Sequence, residues 1–258
     1  MKFLRVKNIT MQFGGLLAVD NLRFHVDKGE IVSLIGPNGA GKTTVFNVLT
    51  GVYKVTAGSM EFKGEKLEGK TPQEIVALGI SRTFQNPRLF PKMRVIENVL
   101  IGTHIRTKYS FFDGLLRTKR FQYEEAEKTV RAIKILESIG LYEYMNSYAG
   151  SLPYGAQRKL EIARAMATDA ELLLLDEPAA GMNPTETEEL LRFIRELRDR
   201  GFTILLIEHD MKVVMNISDR IYVLDHGKLI AHGTPNEIVN NQRVIEAYLG
   251  GERKHAKN

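Results

Sequence analysis

Directly after the apolar, β-rich run Ile31–Ile35, the chain reads Gly36-Pro37-Asn38-Gly39-Ala40-Gly41-Lys42-Thr43-Thr44. No other stretch constrains the fold as tightly. Glycines at these spacings let the backbone curl until successive N–H groups of Asn38, Gly39, Ala40 and Gly41 face one anion. The two glycines, lysine and threonine match the P-loop pattern. Four specified positions match by chance in roughly one chain per hundred, so the context decides. Here the loop sits between a buried-strand pattern and a helical stretch from about Lys42 to Thr50, as the pattern requires. In that setting Lys42 reaches the β- and γ-phosphates of a nucleotide. The Thr43 hydroxyl ligates Mg²⁺, and the Thr44 hydroxyl bonds the α-phosphate.

The rest of the chain supplies a sheet for this unit. Leu4–Ile9, Arg23–Val26 and Ser59–Phe62 read as short strands, the first two as edge or hairpin strands. Thr71-Pro72-Gln73-Glu74, Asn183-Pro184-Thr185-Glu186 and Thr234-Pro235-Asn236-Glu237 share one grammar. Each has a cap residue, proline at the first helical position and glutamate two further on, predicting helices at about 72–78, 184–200 and 235–241. Ile80–Phe84 reads as a strand. Helical patterns dominate from Pro87 to Thr168, best at Glu124–Ile139 and Ala156–Thr168. Then follow strand 172–176, strand Thr203–Ile207, helix 211–217 and strand Arg220–Leu224. Asp225-His226-Gly227-Lys228 turns into a last strand at Leu229–Ala231. Strands alternating with helices predict an α/β fold with a mainly parallel sheet. The chain then forms a single domain over 1–258, with 1–86 and 169–258 as its core and 87–168 as an inserted helical subdomain.

Composition removes several function classes. There are no cysteines, hence no disulfides or thiol chemistry. No apolar run approaches the ~18 residues of a membrane span, and the start lacks the apolar stretch of a signal peptide. Lys and Arg number 36 against 31 Asp and Glu, an excess too small to call for nucleic acid. The basic tail 251–258 reads as a solvated terminus, or as a weak attraction for anionic lipid or a partner.

A second candidate site lies in 152–178, LPYGAQRKLEIARAMATDAELLLLDEP. A glycine-bearing turn opens a helix, whose first N–H groups suit an anion. The helix feeds an apolar strand tipped by Asp176 and Glu177. Asp176 is placed to hold Mg²⁺ through water, and Glu177 to orient an attacking water. The bland alternative is an acidic pair flanking a helix. The two ends lie a whole helix apart, roughly 20 Å at 1.5 Å per residue.

The order of P-loop, Gln85, Leu-Pro-Tyr-Gly-Ala-Gln at 152–157, Leu-Leu-Leu-Leu-Asp-Glu-Pro at 172–178 and Glu-His-Asp at 208–210 resembles the ATP-binding subunits of ABC transporters over nearly the whole chain. The resemblance implies a P-loop NTPase with a RecA-like core, an antiparallel β subdomain and the helical insert, hydrolysing ATP with Mg²⁺. It implies that Gln85 senses Mg²⁺ and water and links to a membrane subunit. His209 would contact the γ-phosphate and orient water, and Phe13 would stack on adenine. It also implies a dimer in which Pro153, Tyr154 and Gly155 cap the ATP held by the partner, placing the two ends of 152–178 in different active sites. Two positions depart from the common pattern. Pro153 replaces a serine, and Ser151 is one residue off; Asn183 replaces an aspartate.

Met-Gln-Phe-Gly-Gly-Leu-Leu-Ala-Val (11–19), Arg-Thr-Phe-Gln (82–85), Arg-Leu-Phe (88–90), Ala-Ala-Gly-Met-Asn-Pro (179–184) and Ala-Tyr-Leu-Gly (247–250) resemble the branched-chain amino-acid importers of that family, which share both departures. That branch implies a LivF-type paralogue or a second copy as partner. It also implies two integral membrane permease subunits, a periplasmic substrate-binding protein acting through them, no nucleic acid, and a peripheral position on the cytoplasmic face of the inner membrane. The alternatives are the motor of a lipopolysaccharide-type exporter, which also ends in Tyr-Leu-Gly, and a soluble ABC ATPase of DNA repair or translation. The latter carries a long coiled-coil insertion or two cassettes, and this chain has neither. Segment 103–123, with Phe111, Phe112, Leu115, Leu116 and Phe121 among basic residues, reads either as part of a membrane-subunit contact or as packing inside the helical subdomain.

Overall fold

In a computed structural model of the chain, which describes residues 2–107 and 109–255, the opening hairpin is longer than its apolar pattern suggests. Strands β1 (Lys2–Phe13) and β2 (Leu16–Asp27) turn at Gly14-Gly15, with Phe13 opposite Leu16. Asn8 and Asn21 take φ of 54° and 50°, a region asparagine tolerates, and the register shifts beside them. Those irregularities break the alternation that a strand is read by. The strands that follow are β3 (Ile31–Ile35), β4 (Ala57–Phe62), β5 (Glu65–Lys66), β6 (Ile80–Arg82), β7 (Leu172–Asp176), β8 (Thr203–Ile207), β9 (Arg220–Asp225) and β10 (Lys228–Gly233). An antiparallel sheet runs β2-β1-β4-β5, and a six-stranded sheet runs β10-β9-β3-β8-β7-β6. The latter is parallel except at its β10 edge.

The helices are α1 (Lys42–Leu49), α2 (Pro72–Leu78), α3 (Val95–Thr103), α4 (Phe111–Leu115), α5 (Lys119–Ser138), α6 (Tyr154–Met166), α7 (Pro184–Asp199), α8 (Met211–Ile217), α9 (Pro235–Val239) and α10 (Gln242–His255). The three helices expected from capping boxes all carry them.

Central parallel strands are buried on both faces, so their residues divide by turns between two cores. Leu172, Leu174, Leu205 and Ile207 join Phe46 of α1 and the inner face of the antiparallel sheet. Leu173, Leu175, Ile204 and Leu206 face α7 and the helices between β6 and β7. A third cluster seats α8, α9 and α10 on β9.

Three expectations are adjusted. Strand β6 stops at Arg82 rather than Phe84, because the chain turns toward α6 after the Thr83 N–H bonds the Leu174 carbonyl (2.9 Å). Helix α5 starts five residues early, where the Thr118 hydroxyl caps it. The unforeseen α10 runs to His255 after an Asn241 cap, so 251–255 of the basic tail are helical; 256–258 lie outside the described residues.

The strand order is what positions the site. It sets the carboxyl ends of β3, β8, β7 and β6 side by side, across about 15 Å at ~4.8 Å per strand. The loops leaving those ends carry Gly36–Thr44, His209, Glu177 and Gln85. Open α/β sheets bind their ligands at this edge.

Candidate functional site

The glycine loop is sterically required. A Cβ on Gly36 (φ 151°) would lie 2.1 Å from the Leu224 carbonyl oxygen, and one on Gly41 (φ 99°) 2.6 Å from that of Ala18. The Lys42 Nζ donates to the carbonyls of Gly36 (2.7 Å) and Pro37 (3.0 Å) and is buried. Burial pulls its pKa below the ordinary lysine value, and the nearby Glu177 and Asp176 oppose that shift. A buried ammonium of this kind gains from an anion brought into the loop. The cavity in front holds about 410 Å³ and is lined by Phe13, residues 38–44 and Glu177. Phe13 meets Tyr53 edge-on at 5.1 Å. Tyr53 escaped the sequence reading because its contact lies across the loop after α1.

Two residues foreseen separately converge on the Glu177 carboxylate. The Gln85 Nε2 donates to Glu177 Oε2 (2.6 Å), and His209 Nδ1 lies 3.6 Å from the same oxygen. Glu177 takes φ 45°, a left-handed conformation that costs a non-glycine residue about 1–3 kcal/mol. Its N–H extends the ladder to the Ile207 carbonyl (2.9 Å), so the strain comes with a fixed backbone.

Asp176 behaves differently from its neighbour. It is buried, is not among the residues lining the cavity, and its Oδ2 accepts from Arg82 Nη2 at 2.6 Å. Arg82 also donates to Asn47 Oδ1 (2.6 Å), and its guanidinium lies 5.4 and 5.2 Å from the ring centres of Phe46 and Phe84. Nothing local in the sequence marks this pair. The same holds for Glu208, whose buried carboxylate accepts from the N–H groups of Ala179 (2.9 Å) and His209 (3.3 Å) and so ties the loop after β7 to the end of β8. Burial raises its pKa.

The opening of α6 lies apart from this cavity, since none of Pro153, Tyr154 and Gly155 lines it. The Ser151 hydroxyl is spent on the Tyr148 carbonyl (2.7 Å) and the Asn183 side chain on capping α7. Among the described residues a Cβ on Gly155 would meet only Glu186 Cγ at 4.0 Å, so none of them demands glycine there. Behind the turn, buried Arg158 donates to the carbonyls of Phe84 (2.8 Å) and Gln85 and to the Tyr154 hydroxyl (3.0 Å). Its buried partner Glu161 accepts from the N–H groups of Phe84 (3.2 Å) and Arg88 (3.3 Å). Tyr154 in turn donates to the Ala180 carbonyl (3.1 Å). The helix that follows Pro153–Gly155 thus grips the loop that carries Gln85.

Comparison with known proteins fits this geometry. The ABC transporter family model matches residues 19–180, and the model of the branched-chain amino acid ATP-binding cassette transporter matches residues 228–254. The chain is 56% identical over 248 residues to the high-affinity branched-chain amino acid transport ATP-binding protein LivG of Salmonella typhimurium, covering 96% of this chain and 97% of that protein. It is 50% identical to BraF of Pseudomonas aeruginosa, described in the same words, with the same coverage. A solved ATP-binding cassette of an ABC transporter in its ADP conformation superposes with a TM-score of 0.86 at 37% identity, over 97% of this chain and 99% of that one.

Proposed function

The chain belongs to the ABC transporter family of ATP-binding cassettes, and we propose that it is the ATP-hydrolysing subunit of an importer for branched-chain amino acids. One observation carries the hydrolytic reading: the Glu177 carboxylate lines the P-loop cavity and is held by Gln85 with His209 beside it. The cargo rests on the match at 228–254 and on the LivG and BraF relatives.

In this reading ATP is bound by the N–H groups of residues 38–41, by the Lys42 ammonium and by the Thr43 and Thr44 hydroxyls, with adenine on the Phe13 ring. Glu177 orients the attacking water and takes its proton as the water oxygen bonds the γ-phosphorus in line, while the bond from that phosphorus to the β–γ bridging oxygen breaks and ADP leaves with phosphate as the second product. Gln85 fixes the carboxylate by its 2.6 Å hydrogen bond. His209 contributes a second polar group next to the same oxygen. Thr43, Asp176 and Gln85 form an all-oxygen donor set suited to Mg²⁺, a hard cation that keeps several of its waters. Held by these residues, Mg²⁺ would supply positive charge beside the transferred phosphoryl group. Asp176 retains an oxygen for it beside the one given to Arg82.

Residues 1–86 and 169–258 form the nucleotide-binding core and 87–168 the inserted helical subdomain. The Pro153–Gly155 turn completes the site of a second ABC ATPase subunit, a LivF-type paralogue or a second copy. Among the described residues no helix is long and apolar enough to cross a membrane. In this reading translocation belongs to two permease subunits. A periplasmic substrate-binding protein delivers cargo to them, and this chain docks peripherally on their cytoplasmic side. Glu177→Gln tests the chemistry: ATP binding persists while turnover falls about 100-fold or more. Wild-type turnover would remove Glu177 as the base. Capture of lipopolysaccharide-transport subunits with the tagged protein, in place of amino-acid permeases, would replace the importer reading.

A further inference from the structure

The apolar side chains of segment 103–123 divide sharply. Phe121 packs inward, edge-on to Tyr109 at 4.9 Å. Phe111, Phe112, Leu115 and Leu116 point out, with 80%, 69%, 67% and 72% of their surface exposed. Packing inside the helical insert therefore does not account for these four.

They do not belong to a loose loop. The Ser110 hydroxyl accepts from the Asp113 N–H (3.2 Å), while Asp113 accepts from the Ser110 N–H (2.9 Å) and the Thr118 hydroxyl (3.0 Å). Tyr109 donates to Glu125 (3.0 Å), which also accepts from Lys128 (3.0 Å), so the base of the knob is tied to α5. Hydrogen bonds fix a short helix with four large apolar groups on its outside, an arrangement with an evident cost in water.

Cations predominate at the tip itself. Arg117, Lys119 and Arg120 are exposed beside the apolar tip, whereas the one acid of 109–120, Asp113, is engaged in the cap. Alongside runs a groove of about 1080 Å³ that Tyr123 and Val130 line with apolar surface, where the cations Lys119, Arg120, Lys128, Arg131 and Lys134 outnumber the acids Glu124 and Glu127. Exposed apolar groups flanked by an excess of cations match the boundary between anionic headgroups and acyl chains. A protein dock of standard size needs about 800 Å² per partner and a shaped counter-surface, more than one exposed turn provides. Insertion into lipid needs neither.

We propose that residues 111–120 are a membrane-interface anchor, in which Phe111, Phe112, Leu115 and Leu116 enter the interface of an anionic bilayer while Arg117, Lys119 and Arg120 meet its phosphates. The anchor acts on lipid directly, independently of permease docking and of ATP chemistry, so its failure leaves the ATPase reading untouched.

The chain has no tryptophan, which makes a single reporter clean. Full-length Phe111→Trp protein is mixed with vesicles of phosphatidylglycerol and phosphatidylethanolamine, with no permease present. Emission shifts to the blue and is quenched by brominated acyl chains, while Tyr144→Trp, elsewhere on the insert, responds to neither. In flotation, a Phe111→Ser/Phe112→Ser/Leu115→Ser/Leu116→Ser variant binds these vesicles at least 10-fold less than wild type, with an unchanged melting temperature and ATPase rate. Arg117→Glu/Lys119→Glu loses the preference for anionic over phosphatidylcholine vesicles. Equal flotation of wild type and the serine variant, or no blue shift at position 111, overturns the proposal. So does crosslinking of position 111 to permease alone in native membranes, which would assign the knob to a protein dock.

Discussion

At the scale of single residues, the groups that decide the site are charges held away from water. Arg82 and Asp176 are buried together and joined at 2.6 Å. Removing one partner of such a pair leaves the other uncompensated, at about 3–5 kcal/mol. Arg82→Met should therefore lower the stability of the isolated subunit by about that much in urea titrations, and Arg82→Met/Asp176→Asn should recover most of it. A single variant as stable as wild type would mean the ion pair holds nothing. Glu208 gives a pH test. Its carboxyl is raised above 4.5 by burial, so the folded chain holds that proton more tightly than the unfolded one. The stability this contributes is complete below about pH 4.5, and it is lost as pH rises through the folded value. Glu208→Gln cannot titrate, so its stability relative to wild type should climb as pH rises from 4.5 and then level off. A difference that does not climb at all as pH rises from 4.5 would deny that burial strains Glu208. The P-loop was legible because its chemistry is contiguous in the chain. Arg82 and Glu208 were not, because their partners stand 94 and 29 residues away, and burial of a charge has no local signature.

At the scale of elements, legibility followed the locality of the signal. Helices α2, α7 and α9 begin where a cap, a proline and a glutamate stand at fixed offsets. Strands β3, β7 and β8 were read to the residue because parallel strands buried on both faces are continuous apolar runs. The first hairpin was read short because Asn8 and Asn21 interrupt its period of two. Helix α6 shows what element boundaries alone cannot. Its first turn is the segment assigned to a partner's ATP, and its second turn carries Arg158 and Glu161, which hold the backbone of residues 84–88. One rigid helix thus couples Pro153–Gly155 to Gln85. Arg158→Ala should release that loop and leave Glu161 buried without its cation. Hydrogen exchange should accelerate in 84–88 more than in β3 or β8, and ATP turnover should fall while nucleotide affinity changes little. Uniform acceleration across the chain would reduce Arg158 to a general packing role.

At the scale of the whole molecule, the sheet order gathers the P-loop, Glu177, Gln85 and His209 at one edge, while the opening of α6 stays out of their cavity. A single subunit therefore owns most of one site and, in the proposed dimer, lends a corner to another. Gly155 isolates that loan, because none of the described residues of its own chain needs glycine there. Gly155→Asp puts a negative charge at a helix N-terminus, where it is tolerated. The subunit should keep its stability within about 0.5 kcal/mol yet fail to support hydrolysis. Lys42→Ala should fail as well, through its own P-loop. Mixing the two lesions then separates the architectures. If each site draws on both subunits, a pair carrying Lys42→Ala on one and Gly155→Asp on the other combines both defects in one site and leaves the second intact. If each site is built within one chain, every site is broken and mixing restores nothing. For a pair of identical chains, half the dimers are mixed and half their sites intact, so activity should return to about a quarter of wild type by symmetry. Recovery measured against the two unmixed variants decides whether Pro153–Gly155 acts across the interface.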